Sequence, residues 1–217
     1  MAFSNSPRVV KGGIVLVDPD TGKVQRVIAL QYNPEKLTRS LKVQRVGEGA
    51  EQSDALRLTG PAVETFRLEA DIDAADQLEH PDQNRTAVET GIGPQLAVLE
   101  SLVNPTVEAL RSSQRLASQG TLEIAPIESA LPIFVWGKNR IAPVLVEDFS
   151  IEEEAYSPAL DPIRAKVTLS LRVLSVNDIG FEHKGGTLFM AYLQAREKLA
   201  GRAATFGFET LGIGGLP

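Results

Sequence analysis

The chain has 217 residues, 43% hydrophobic and 23% charged, a composition typical of a globular protein that buries about 70% of its unfolded surface. Asp and Glu total 28 against 22 Lys and Arg, and the net charge of −6 argues against non-specific binding to nucleic acid or an anionic membrane. The absence of cysteine excludes disulfides, thiolate metal sites and cysteine nucleophiles.

The first residues, MAFSNSPRVVKGG, lack the charged start and apolar centre of a signal peptide. No apolar run approaches the roughly 18 residues that cross a bilayer. We therefore expect synthesis and folding in the cytoplasm, without direct membrane insertion.

The first half of the chain predicts strands. Residues 13–17 and 24–32 flank a turn at residues 18–22 and form a hairpin, because its proline fixes φ and its glycine adopts positive φ. Another strand is predicted around residues 37–43, after Asn33-Pro34. The stretch TFRLEADID alternates with the period of a half-buried strand, which predicts an inward row of Phe66, Leu68, Ala70 and Ile72.

The second half predicts two more hairpin strands and a further alternating strand. The apolar run at residues 133–136 is followed by a polar tip at 138–140 and a returning strand at 141–151, whose imperfect alternation predicts a bulge. The segment RAKVTLSLRV alternates cleanly. It predicts an inward row of Ala165, Val167, Leu169, Leu171 and Val173.

Helical spacing is limited to two regions. Leu96, Leu99 and Leu102 follow Gly93-Pro94, and Asn104-Pro105 either ends this helix or caps a second one to about Leu116. A helix from about Thr187 to Leu199 is predicted near the C-terminus. Residues 73–91 and 111–120 are predicted to be polar loops.

Few residues are candidates for chemistry. His80 and His183 each lie in polar surroundings with no second histidine at ligand spacing, so surface roles are the better interpretation. The acidic stretch at residues 71–76 lacks the glycine and glutamate that a calcium loop of the EF-hand type needs. Adjacent carboxylates at residues 152–154 would point to opposite faces of a strand. The sequence predicts no enzyme, no cofactor and no metal site.

Trp136 is the only tryptophan. It is interpreted as a core aromatic at the end of a strand, with a ligand-stacking role as the alternative. No second aromatic residue is placed to complete a stacking platform.

Several ordered elements resemble the tube-domain proteins of contractile injection systems, which are phage-tail-like particles. The resemblance covers about residues 10–178 and rests on Tyr32-Asn33-Pro34-Glu35, the strand FRLEADID, the Leu-rich helix ending at Asn104-Pro105, the run LPIFVWG that contains Trp136 and Gly137, and SPALDPIRAKV, which contains Pro162 and Arg164.

The resemblance implies a mainly β fold, a tube-type barrel or sandwich with an inserted helix and a C-terminal helix. It implies a tube-type domain at residues 1–180, with a helical and loop insertion at about 91–130. The C-terminal helix and Gly-rich tail occupy residues 181–217. Members are baseplate-hub adaptors or tube initiators. Their partners are copies of themselves in a ring, together with spike, inner-tube and baseplate subunits, and not nucleic acid.

Two departures from the resemblance bear on the role. Many relatives continue into a LysM module, which this chain is too short to contain, and residues 111–130 are longer than expected, which suggests an insertion that contacts a neighbour. The tail carries Phe206, Phe208, Leu211 and Ile213, which are predicted to bind a partner, with a disordered end as the alternative.

Three functions are carried forward. The first is an adaptor linking spike hub to inner tube, assembled in the cytoplasm within a phage-tail-like particle, with the main inner-tube protein as a close alternative. The second is a stand-alone β-barrel that binds a ligand near Trp136. The third, an enzyme, would require His80 or His183 to be essential.

Overall fold

In the computed structural model, residues 9–45, 56–118 and 129–216 are described. Within them, seven strands form one antiparallel sheet in the order β2-β1-β5-β6-β7-β4-β3. The strands are β1 (Gly13–Val17), β2 (Val24–Ala29), β3 (Leu37–Lys42), β4 (Val63–Asp73), β5 (Leu131–Val135), β6 (Ile141–Tyr156) and β7 (Pro162–Val173). The helices are α1 (Ala75–Leu78), α2 (Arg85–Thr90), α3 (Gly93–Glu100), α4 (Val107–Ser118), α5 (Val176–Ile179) and α6 (Lys184–Ala200), and a 3-10 helix spans Phe208–Leu211.

The sheet folds over on itself. The rings of Phe66 in β4 and Phe134 in β5 are 5.1 Å apart, although β6 and β7 separate their strands in the sheet. One layer is therefore β2-β1-β5 with the first residues of β6, and the other is the rest of β6 with β7-β4-β3. The long strand β6 passes from one layer to the other. This architecture confirms the predicted mainly β fold.

The predicted inward rows form the core between the layers. Phe66, Leu68, Ala70 and Ile72 are at most 6% exposed, and their counterparts on β7 at most 3%. Successive residues of a strand point to opposite faces, so the alternating apolar residues of β4 and β7 correctly predicted which side chains face the core. The predicted bulge in β6 is also present, between Val146 and Asp148.

The loop predicted at residues 73–91 was wrong, because these residues contain α1 and α2. The alternative of a second helix after Asn104-Pro105, running to about Leu116, is confirmed by α4. That helix continues through Ser118, into the segment 111–120 that was predicted as a loop. Helices of four to six residues make too few apolar contacts to impose a period on the sequence. Residues 119–128 of the predicted insertion lie outside the described residues.

Helices α3 and α6 complete the core. Ile92, just before α3, and Leu96 and Leu99 on α3 are buried in the main core. On α6, Leu188 packs against the outer face of β1 and β5, while Phe189 and Tyr192 join the main core. The helix predicted from Thr187 therefore begins three residues earlier, at Lys184, where His183 caps it.

Candidate assembly surfaces

A buried carboxylate joins three elements. Glu64, at the start of β4, is 3% exposed. The Tyr192 hydroxyl of α6 donates to its Oε1 at 2.9 Å, the Arg196 Nη1 of α6 contacts its Oε2 at 2.9 Å, and the Arg39 Nε of β3 also bonds to Oε1. We call these four residues the Glu64 clamp. A buried carboxylate is tolerated only with such partners, so the clamp ties β3 and α6 to the core.

The clamp perturbs Tyr192. Burial and the adjacent negative charge of Glu64 raise the pKa of the Tyr192 hydroxyl, and the positive charges of Arg196 and Arg39 oppose that rise only in part. The neutral phenol is thus held as a hydrogen-bond donor. Sequence reasoning missed this cluster. The sequence did contain one indication of it. Glu64 lies two residues before Phe66, so strand alternation places both on the inward face of β4.

The Tyr32-Asn33 segment fastens one end of the folded sheet. The Asn33 side chain accepts from Gly12 N and donates to Val10 O, both at 2.8 Å. The neighbouring Gln31 amide donates to Asp73 O at 2.6 Å and accepts from Asp73 N at 3.0 Å. These bonds connect the end of β2 to the chain before β1 and to the end of β4.

Tyr32 itself is exposed. Its hydroxyl donates to the Asp76 carboxylate at 3.3 Å, and the negative charge of Asp76 raises the pKa of Tyr32. Pro34 lines a polar hollow of about 660 Å³ against the outer face of β4 and β7.

Trp136 packs against the core at the end of β5. Its ring stacks on Phe134 at 5.9 Å and lies over Gly12, where a Cβ atom would come within 2.4 Å of the indole. Gly137 follows with φ of +70°, which starts the turn to Arg140. Asn33 and Trp136, distant in sequence, therefore meet at Gly12.

Pro162 and Arg164 lie at the start of β7. The Pro162 carbonyl accepts from Ile92 N at 2.8 Å, and Gly91, with φ of +56°, approaches so closely that a Cβ would lie 1.9 Å from that oxygen. Arg164 is exposed and pairs with Glu154 at 2.8 Å. Pro162 thus anchors the start of α3, whereas Arg164 belongs to the outer face of the sheet.

The β6-β7-β4-β3 layer has two edges without a strand partner among the described residues. One is β3, which pairs only with β4. The other is the stretch of β6 from Leu145 to Tyr156, because β5 pairs with β6 only as far as Pro143. We call them the β3 edge and the β6 edge.

The two edges differ in charge. Residues 36–45 contain Lys36, Arg39, Lys42 and Arg45 and no acidic residue. Residues 144–156 contain Glu147, Asp148, Glu152, Glu153 and Glu154 and no basic residue. Arg39, Glu147 and Glu154 already have partners within the chain.

The outer face of this layer is polar. Cross-strand neighbours on it include Asp71, Lys166 and Glu152, and one row further along the strands Asp73 and Arg164. The opposite face carries the core. Helices α3 and α6 pack on the core side. On the polar face, Asp178 of α5 pairs with Arg172, residues 32–36 border a hollow, and Arg67, Glu69 and Asp71 are exposed.

A groove opens beside β2. It measures about 340 Å³ and is lined mainly by apolar side chains of β4, β7, α3 and residues 27–31, which are the end of β2 and the two residues after it. We call this groove the α3 groove. Gln95 of α3 is among its lining residues.

The predicted partner-binding residues lie apart from these features. Phe206, Phe208, Leu211 and Ile213 are 42–77% exposed, and Leu216 beyond them is 78% exposed. None of them lines the α3 groove of its own chain. Their binding role stays a prediction.

The histidines have structural or solvent-facing positions. His183 accepts a hydrogen bond from Gly185 N at 3.0 Å through its Nδ1 and caps α6, while His80 is exposed. In the described part of the chain, no three potential metal ligands come together, and no helix is long and apolar enough to span a membrane.

No protein-family model matches the sequence, and no curated protein matches it. Two of the solved structures to which the chain is similar are gene transfer agent (GTA) particles. One is the tail of an empty GTA particle with C6 symmetry, at a TM-score of 0.29 and 11% identity. The other is the virion of a native GTA particle, at 0.27 and 8%. Each match covers 75% of this chain and 90% of the other. At these TM-scores the likeness assigns neither a family nor a function to the chain.

Proposed function

We propose that the chain is a structural subunit that closes into a ring by pairing the β3 edge of one copy with the β6 edge of the next. The observation that carries this proposal is the pair of unpartnered, oppositely charged edges on one layer. An exposed strand edge is a template for another chain, and proteins normally cover it. In a ring, one neighbour covers the β3 edge of each copy and the other neighbour covers its β6 edge.

Strand direction supports the same arrangement. The layer contains four strands that alternate in direction, from β6 through β7 and β4 to β3. Rotation about a ring axis keeps each strand's direction along that axis, so β3 of one copy runs antiparallel to β6 of the next. The even number of strands lets the antiparallel sheet continue around a cyclic assembly.

Charge complementarity selects this pairing over the alternatives. Two β6 edges would bring carboxylates together, and two β3 edges would bring cations together, both of which are unfavourable. The heterologous contact places Lys36, Lys42 and Arg45 near Asp148, Glu152 and Glu153. Heterologous contacts build closed rings when the rotation closes.

The polar face then lines the channel of the ring. Because β1, β2, β5, α3 and α6 lie on the core side of the layer, they occupy the larger radius outside the continuous sheet. The channel wall would carry both signs of charge, including Asp71, Lys166, Glu152 and Arg172. A mixed wall favours passage of cargo over tight binding.

The resemblance of the Tyr32-Asn33-Pro34 and Trp136-Gly137 elements to tube-domain proteins indicates the kind of particle. We propose an adaptor in the baseplate hub of a phage-tail-like contractile particle, linking the spike hub to the inner tube. Assembly occurs in the cytoplasm, and the partners are further copies, spike, inner-tube and baseplate subunits. The same ring would also fit the alternative role, that of the main inner-tube protein.

A stand-alone binding module is the second candidate, and the α3 groove favours it. Its volume of about 340 Å³ falls within the range of small-molecule pockets. Such a module would remain a monomer and bind a ligand saturably.

Electron microscopy of particles tests the proposal. The gene is deleted in its native host and restored either unchanged or as Asp148→Lys/Glu152→Lys. We expect no sheathed particles, or incomplete baseplates, in the deletion and the charge-reversed strain, and normal particles with the unchanged gene. Few copies per particle would indicate an adaptor, and a number that scales with tail length would indicate the inner tube. Normal particles in the deletion strain would contradict the structural role.

A further inference from the structure

The segment that follows α6 leaves the domain beside the β3 edge. Arg196 on α6 and Arg39 on β3 bind the same carboxylate, Glu64, and α6 ends four residues later at Ala200. If the ring proposed above forms, the β3 edge faces a neighbouring copy. The segment therefore starts at the interface between copies.

The sequence of this segment has strand periodicity. Ala204, Phe206 and Phe208 alternate with Thr205 and Gly207, so an extended conformation places both aromatic rings on one side. Residues 204–207 have no regular structure, and Gly207 is extended at φ −82° and ψ 171°. Phe206 is 77% exposed and Phe208 is 47% exposed. Two exposed rings so close together are typical of an interaction segment.

The α3 groove offers what such a segment needs. Its wall is β2, an edge strand that pairs only with β1 among the described residues. Its floor is apolar, with Ala70, Ile72 and Leu169 among its lining residues. Apolar pockets beside a free strand edge bind extended peptides by strand addition.

A path leads from the copy interface to the groove. A hollow of about 710 Å³ includes Leu145 and Val146 at the β6 edge and Gln25 and Arg26 of β2. The next residues of β2, Val27 onwards, line the α3 groove. A segment entering at the β6 edge of a neighbour can therefore follow β2 into the groove.

We propose that residues 203–209 of one copy add as a strand to the free edge of β2 in the next copy, placing Phe206 and Phe208 in its α3 groove. The 3-10 helix at Phe208–Leu211 then opens at its first residues. The occupant is a second copy of this chain. Each copy gives its segment to one neighbour and receives another in its groove, so the contact closes with the ring. This inference rests on the proposed ring.

Cross-linking of two full-length variants tests the exchange, because the natural chain has no cysteine. One variant carries Gly207→Cys and is loaded with a short bis-maleimide, and excess reagent is removed. The second variant carries Ala29→Cys, in the wall of the groove. After mixing, only links between different copies give a product of twice the chain mass. Gly215→Cys, beyond the proposed strand, is the matched control for position.

We expect efficient linking of Gly207→Cys to Ala29→Cys and weak linking of Gly215→Cys. Adding Phe206→Ser/Phe208→Ser should lower the yield by at least about tenfold, because two apolar anchors are lost. Leu216→Ser should leave the yield unchanged. Sedimentation of the same samples reports whether rings form.

Three outcomes would overturn the proposal. If rings form but residue 207 links no better than residue 215, the exchange is wrong and the ring stands. If the chain stays monomeric and unlinked, the exchange and the ring both fail. If a single chain with both cysteines links only within itself, the groove binds its own segment and not a neighbour's.

Discussion

The Glu64 clamp and the β6 edge both depend on carboxylates, one in the clamp and several along the edge, but they use them in opposite ways. Glu64 is buried at 3% exposure, and three side chains from β3 and α6 satisfy it. Asp148, Glu152 and Glu153 are exposed along a strand with one unpaired side. The first arrangement stabilises a single copy, whereas the second leaves a charge for another copy to satisfy. The comparison separates residues that serve folding from residues that serve assembly.

The largest expected effect comes from removing the charge of the clamp. Glu64→Gln should lower the free energy of unfolding by about 3 kcal/mol, because Arg39 and Arg196, each about a third exposed, lose the buried counter-charge of Glu64. Chemical denaturation measures the change. The matched control is Glu69→Gln on the exposed face of the same strand, expected within about 0.5 kcal/mol of the parent. Equal losses in the two variants would show that the clamp does not stabilise the fold.

A smaller loss is expected from the phenol of the clamp. Tyr192→Phe keeps the ring in the core and removes only the hydrogen bond of 2.9 Å to Glu64. Hydrogen bonds to charged groups contribute about 1.5–3 kcal/mol, which is the expected decrease in the free energy of unfolding. Tyr156→Phe, at an exposed position, is the control. If Tyr192→Phe is as stable as the parent, the hydrogen bond from the hydroxyl to Glu64 does not contribute to stability.

The same hydroxyl predicts a dependence on alkaline pH. Its folded-state pKa is raised above the ordinary tyrosine value of about 10, so its contribution is complete below that value and is lost as pH rises through the folded-state pKa. The parent should therefore lose more unfolding free energy between about pH 9 and pH 11 than Tyr192→Phe. Tyr32 and Tyr156 titrate in both proteins and cancel in the comparison. Parallel curves would contradict the raised pKa of Tyr192.

The smallest effect on folding is expected at the β6 edge. Asp148→Lys/Glu152→Lys should change the unfolding free energy of a single copy by only about 0.5 kcal/mol. It should nevertheless abolish self-association, measured by sedimentation, because cations would face the β3 edge. Lys36→Glu/Lys42→Glu should do the same. Mixing the two variants should restore association between unlike copies through both of their edges, and combining all four changes in one chain should restore the ring. Failure of the combined variant to associate would count against charge-directed pairing.

The strands and the inward rows could be predicted because one buried face imposes a period of two on β4 and β7. The same period of two places Glu64 on the inward face with Phe66. This carboxylate was nevertheless not interpreted as buried from the sequence, and so the clamp was missed. Its partner Tyr192 is 128 residues away, and no local pattern links the two. Asn33 is similar, because its partners at Val10 and Gly12 are defined only once β1 and β2 pair.

The edges could not be predicted from the sequence. The β6 edge exists because β6 extends well beyond the last residue that pairs with β5. The sequence predicted that β6 ends at residue 151, whereas it ends at Tyr156. The division of the chain at residues 180 and 181 stays a prediction. Phe189 and Tyr192 nevertheless pack α6 into the core of the preceding strands.

Amide hydrogen exchange on the purified protein, at concentrations below and above self-association, tests the ring most directly. The account predicts that the amides of residues 37–42 and 145–156 become protected on association, while those of β4, paired on both sides already, stay unchanged. Association without added protection at either edge, or with protection confined to other surfaces, would contradict the pairing of β3 with β6.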